Sequence, residues 1–217
     1  MFQDRTSAGR KLAGALASRD YPDPIVLALP RGGVPVGAEI ARRLECPLDL
    51  MIVRKIGVPQ QPELAAAAVV MDGPSPVIVR NQDVIASAGL TDADIDRLAR
   101  LEIAEIERRH RAYIGEGPPL SVAGSTAILV DDGIATGASM KAAISCLRRY
   151  EPDRIVVAVP VASQDAIHDL EGRADEVVCL ETPSPFMAIG LHYLDFSQLS
   201  DQEVIDVLAG AAGAGKS

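Results

Sequence analysis

The stretch from Ala127 to Tyr150 constrains the fold of this chain most. A short apolar run, Ala127 to Val130, ends in two acids, Asp131 and Asp132. A turn rich in Gly, Thr and Ser follows, and then a helical pattern from Ala138. Read as strand, loop and helix, the segment places two carboxylates beside backbone amides and hydroxyls at a helix N-terminus. Free N–H groups and the positive end of the helix dipole favour a phosphate there. The carboxylates would repel that phosphate, so they serve another part of the same ligand. Sugar hydroxyls and a divalent metal are the natural candidates. A ligand that combines phosphate, ribose and metal is a phosphorylated ribose.

The same alternation runs through much of the chain. An amphipathic helix over 7–17 precedes strands at 25–29, 48–53, 65–71, 126–130, 154–159 and 176–180, with helices at 36–44, 138–149 and 163–171. Strands alternating with helices predict an α/β fold with a mostly parallel, doubly wound sheet and helices on both faces. Residues 72–124 interrupt it, bracketed by Pro74-Ser-Pro76 and Gly115-Glu-Gly-Pro-Pro119. Inside, Thr91-Asp-Ala-Asp94 starts a charged helix that runs to about Tyr113. Arg108, Arg109, His110 and Arg111 near its end read first as cations against the negative helix terminus, and second as a pyrophosphate contact. At 217 residues the whole is expected to be one domain: a core over about 24–180, an insert or lid over 72–124, a hood over 181–200 with a C-terminal helix, and a flexible tail over 210–217.

Composition excludes several classes. A formal net charge of −9 argues against a nucleic-acid surface, which would need a basic stripe. No apolar run reaches the length of a membrane span. Cys46, Cys146 and Cys179 are widely spaced, without a C-x-x-C pair, and read as buried thiols in a reducing compartment; with Met1 to Asp20 charged throughout, a cytoplasmic location is expected. His110, His168 and His192 are scattered and suggest no metal site. Gly210 to Ser217 fits the nucleotide phosphate-loop pattern letter for letter. That motif works between a strand and a helix, whereas here a helical pattern, Asp201 to Leu208, comes before it, so a small-residue tail is expected instead.

Two further segments supply context. Ile25 to Leu29 is closed by Pro30-Arg31-Gly32-Gly33, where Gly-Gly lets backbone approach a ligand and Arg31 suits an anion. Leu48 to Val53 ends in Arg54-Lys55 and then Ile56-Gly-Val-Pro59. In a parallel sheet all three loops would lie at the carboxyl edge, where such folds bind ligands.

Val130-Asp-Asp-Gly-Ile-Ala-Thr-Gly-Ala-Ser139 resembles the phosphoribosyl pyrophosphate (PRPP) loop of type I phosphoribosyltransferases, and the other two segments are similar to that family's pyrophosphate loop and its Arg-Lys-x-Gly segment. The resemblance implies the family's fold with its small hood, and a magnesium-dependent transfer of the 5-phosphoribosyl group from PRPP to a nitrogen nucleophile. Asp131 and Asp132 would hold the ribose hydroxyls and, largely through substrate, the metal. Ala135, Thr136, Gly137, Ala138 and Ser139 would wrap the 5-phosphate, and Arg31, Gly32, Gly33, Arg54 and Lys55 would hold pyrophosphate. Asp131, Asp132 and Arg31 are the catalytic candidates. Phe186 and Tyr193, in a segment that looks like the hood, would either stack on a base or anchor that segment to the core. Ala135 stands where oxopurine-type members carry an acid, so hypoxanthine and guanine are disfavoured as acceptors. A homodimer follows from the same likeness, as does a cis peptide between Arg31 and Gly32 when ligand is bound. The alternative within the fold is a PRPP-sensing regulator, and outside it a phosphate-loop NTPase resting on the tail alone.

Overall fold

The computed structural model describes residues 1–72, 75–113 and 120–214. Five parallel strands, β1 (Pro24–Ala28), β2 (Leu48–Leu50), β6 (Thr126–Val130), β7 (Arg154–Val161) and β8 (Glu176–Glu181), form one sheet in the order β2-β1-β6-β7-β8. A second, antiparallel sheet holds β3 (Val53–Val58), β4 (Gln61–Asp72) and β5 (Ser75–Arg80) in sequence order. The helices are α1 (Arg5–Leu16), α2 (Gly33–Leu44), α3 (Gln82–Ser87), α4 (Asp92–Tyr113), α5 (Ala138–Leu147), α6 (Gln164–Glu171) and α7 (Asp201–Ala214).

Side chains alternate across a strand, and that period sorts the core into two layers. Val26, Ile128, Val130, Val156 and Ala158 pack on Leu12 and Leu16 of α1 and on Val36 and Ile40 of α2. Leu27, Leu129, Ile155, Val157 and Val159 pack on Met140, Ile144 and Leu147 of α5 and on Ala166 and Leu170 of α6. The sheet is therefore covered on both faces, as its nearly unbroken apolar strands require. Val70 and Val79, from β4 and β5, join the α5 side, so α5 lies between the two sheets. A third cluster, with Ile56 and Val69 against Ile95, Ala99 and Ile106 of α4 and Val204 of α7, covers the other face of the antiparallel sheet.

The structure departs from the sequence expectations in four places. Residues 48–53 divide between edge strand β2 and strand β3 of the second sheet, so Arg54 and Lys55 lie within a strand instead of a carboxyl-edge loop. The run at 65–71 is the middle of β4, antiparallel to β3 and β5. Pro76, read as part of a bracket, sits in β5; a proline is tolerated there because β5 is an edge strand. Finally, α7 continues through Gly210 to Ala214, where alanine-rich composition favours helix over the expected flexible tail. The last three residues of that tail, and the Gly115–Pro119 bracket, lie outside the described residues.

Candidate functional site

β1 leads through α2 to β2 on one side, whereas β6 leads through α5 to β7 on the other. The chain thus reverses its direction of winding between β1 and β6, and open α/β sheets take ligands in the crevice outside such a switch point. Residues 29–32 and 131–137 flank that crevice. The Leu29 amide donates to Val130 O at 2.8 Å, so the two loops start in contact. A Cβ at Gly33 would come within 2.5 Å of Val130 O, and one at Gly32 would collide with the Asp132 carboxylate. Only glycine allows this approach.

The 133–137 loop is fixed from below. The Ile134 amide donates to Val161 O at 2.9 Å, and the Ser163 amide to Ile134 O at 2.9 Å. The Ser163 hydroxyl donates to Ala135 O at 2.6 Å while it caps α6. Gly137 then turns the chain with φ of +71° into α5. Five of the helices receive a side-chain cap, from Asp4, Asn81, Thr91, Ser163 and Ser200. α2 instead turns its first amides, Gly33 and Val34, onto Leu29 O and Arg31 O, and Pro35 has none. α5 has neither device: Gly137 offers no side chain, and the Ala138, Ser139 and Met140 amides donate to no capping group among the described residues. Open first-turn amides and the helix dipole suit an anion at this position.

A cavity of about 220 Å³ opens there, lined by Asp131, Gly133, Ile134, Thr136 to Met140, Lys55 and Ile189. Among the residues expected at the site, Asp131, Thr136, Gly137, Ala138 and Ser139 are brought together, with Lys55 opposite. Ala135 is exposed beside them, its carbonyl turned to Ser163. The strand period separates Lys55 from Arg54. Lys55 faces the cavity, whereas Arg54 points to α4 and pairs with Glu102 at 2.7 Å. Arg31 does not line the cavity; its Nη1 lies 3.9 Å from Asp201 Oδ1 at the start of α7. A cis peptide precedes Arg31, joining it to Pro30, one residue before the expected position.

The two acids differ. Asp131 lines the cavity, and its Oδ1 accepts the Asp132 amide at 2.8 Å. Burial pushes its carboxyl well above the usual range, and the Asp132 charge adds to this. Asp132 is buried away from the cavity. Its Oδ2 accepts from Arg5 Nε at 2.7 Å, and its backbone oxygen accepts from the Tyr193 hydroxyl at 2.6 Å. Burial raises this carboxyl too, with the Arg5 guanidinium opposing the rise. Tyr193 is itself buried against Phe2 and Phe196, and burial, followed by the Asp132 charge, raises its phenol. It anchors its segment and presents no open ring face for a base. Phe186 is half-buried, stacked on His192 at 5.7 Å.

Sequence reasoning missed Arg5, Ser163 and Ile189. The one signal for Arg5 was a cation at a helix N-terminus, against the dipole. Magnesium needs one or two carboxylates and completes its shell with substrate oxygens and water. Asp131 fits that role, since it lines the cavity, while Asp132 is already engaged. No cluster of three acidic, histidine or cysteine side chains that could hold a metal alone occurs among the described residues.

Comparison with known proteins bears on the family and the fold. The phosphoribosyl transferase domain family matches residues 5–195. A Mycobacterium tuberculosis protein that carries the provisional name phosphoribosyl transferase is 45% identical over 208 residues. That alignment takes in 96% of this chain and 46% of the relative, so the chain spans about half the length of the curated relatives it matches. The crystal structure of a Thermus thermophilus protein has a TM-score of 0.83 and 42% identity, covering 96% of this chain and 98% of that one. An Aquifex aeolicus structure, with a TM-score of 0.52 at 8% identity over 94% and 84% of the chains, shares the fold.

Proposed function

We propose, from the premise that the chain belongs to the phosphoribosyl transferase domain family, that it binds PRPP and transfers the 5-phosphoribosyl group to a nitrogen nucleophile, releasing pyrophosphate. The observation that carries the reading is the open N-terminus of α5 beside the Asp131 carboxylate. One end of the cavity offers amides to a phosphate and the other offers an acid to hydroxyls. In the reaction the bond from C1 to pyrophosphate breaks as a bond from nitrogen to C1 forms. Charge grows on the leaving group, and C1 becomes cation-like.

In this chain the amides of Ala138 to Met140 and the Thr136 and Ser139 hydroxyls would hold the 5-phosphate. Asp131 would orient the ribose hydroxyls, which fixes C1 for in-line attack. Lys55 brings positive charge to the same cavity. Magnesium, when bound, would neutralise charge on the pyrophosphate oxygens, with Asp131 as its protein ligand. The acceptor is proposed to be a nucleobase or related heterocycle. The protein is proposed to work as a cytoplasmic homodimer, with no nucleic-acid or membrane partner; no helix among the described residues is long and apolar enough to cross a membrane.

One observation favours the second reading, a PRPP sensor of the same fold. Arg31 lies against Asp201 and Arg54 pairs with Glu102, so two cations that would serve the leaving group face acids instead. The test has two stages. PRPP with magnesium should raise the melting temperature, because a ligand that binds only the folded state stabilises it. No shift at millimolar PRPP removes the proposal. Given binding, pyrophosphate release across a panel of nucleobases separates enzyme from sensor.

A further inference from the structure

Arg5 occupies the first position of α1, where its charge faces the positive end of the helix dipole. Its guanidinium leaves the helix and finds three partners. Nε donates to Asp132 Oδ2 at 2.7 Å, Nη1 donates to Ser197 O at 2.8 Å, and Cζ lies 4.0 Å over the Phe196 ring. The Arg5 and Asp132 side chains are only 12% and 11% exposed. Breaking such a pair from one side leaves a buried charge uncompensated.

Asp132 is held from two further directions. The Tyr193 hydroxyl bonds its backbone oxygen, and its carboxylate occupies the space above Gly32 that a Cβ would need. Phe2 bridges to Tyr193 and packs on its ring, so the N-terminal residues and the 193–197 segment close over the pair together. The carboxylate of Asp132 is thus a strut between the 30–33 loop and these segments.

We infer that Arg5 is a positioning residue: it holds Asp132 against the 30–33 loop in the liganded as in the free protein. The inference rests on the phosphoribosyl reading for the ligand's identity. It assigns Arg5 an effect on the leaving-group end of the site, through Gly32, and none on the 5-phosphate loop.

Calorimetric titration with PRPP–magnesium, pyrophosphate and inorganic phosphate tests it in Arg5→Ala, Arg5→Lys, Asp131→Asn, Asp132→Asn and the double variant Arg5→Ala/Asp132→Asn. Contacting residues couple by amounts that correspond to about tenfold in affinity. Arg5→Ala should therefore weaken PRPP and pyrophosphate about tenfold and leave inorganic phosphate alone, with Arg5→Lys recovering part of the loss. The double variant should bind no worse than the weaker single one, because both remove the same strut. Asp131→Asn should weaken PRPP and spare pyrophosphate. Additive losses in the double variant overturn the inference, and so does unchanged or tighter PRPP binding in Arg5→Ala. If Arg5→Ala does not fold, the Arg5 Nε–H resonance of the unaltered protein decides. It should survive saturation with pyrophosphate, and its loss overturns the inference. A protein that binds pyrophosphate but not PRPP sinks the phosphoribosyl reading and leaves the Arg5 comparison standing on pyrophosphate. One that binds neither overturns both.

Discussion

The carboxyl of Asp131 lies at the cavity wall next to a second acid, and Arg5 is bonded to that second acid. Its pKa is raised from the ordinary value of 3.8. An acid raised in the folded state keeps its proton while the unfolded chain has lost it. The unliganded protein should therefore lose stability as pH climbs from about the ordinary value up to the folded value, and level off above it. Asp131→Asn should remove that downward slope and raise the melting temperature of the free protein at pH 8, by ~2–4 °C for each kcal/mol recovered. A slope that survives in Asp131→Asn places its source elsewhere. The two acids are adjacent letters in the sequence, and nothing there tells them apart. What separates them is a guanidinium 127 positions away in sequence, a relation only the fold creates.

Among the elements, β6, its acids and α5 were legible because strand, turn chemistry and helix period agree over one continuous stretch. β3 was not, because an unbroken run of apolar and basic residues from Leu50 to Ile56 carries no mark where the chain leaves one sheet for another. The pairing of Arg54 with Lys55 failed for the same reason: two neighbours on a loop can share a ligand, but on a strand they face opposite ways. Gly32 and Gly33 were expected to let a ligand approach the backbone; in the structure it is residues 130–132 that approach them, and sequence could not rank the glycines. Gly137→Ala meets only ordinary contacts, none nearer than 3.6 Å, and should cost about 1–2 kcal/mol for its left-handed backbone. Gly33→Ala drives a Cβ to 2.5 Å from Val130 O, an atom of the central strand, and should cost more. Urea denaturation midpoints give the order, and a Gly137→Ala loss equal to or above that of Gly33→Ala contradicts it.

At the scale of the molecule, Asp201 ties distant parts together. It accepts from the Tyr113 hydroxyl at the end of α4 at 2.5 Å and from Arg108 at 3.0 Å, with Arg31 of the 30–33 loop 3.9 Å away. Its carboxyl is lowered, first by the Tyr113 hydrogen bond. A lowered acid stabilises above its unfolded pKa and loses that effect as pH falls through the folded value. The side chain is 34% exposed, so solvent screening limits the contribution of the charge to about 1 kcal/mol or less. Asp201→Asn should lower the melting temperature slightly at pH 7, and the gap should close toward pH 3; a gap that widens on acidification refutes this. The larger joint is α5, which packs on β6 of one sheet and on β3 and β4 of the other. Among the described residues its first turn is the one left open, so a bound anion would serve there as the missing end of the helix. Substrate would then be a structural part that the molecule borrows for each turnover, seated at the beam on which both sheets rest, and the site's occupancy would set the stiffness of the whole frame.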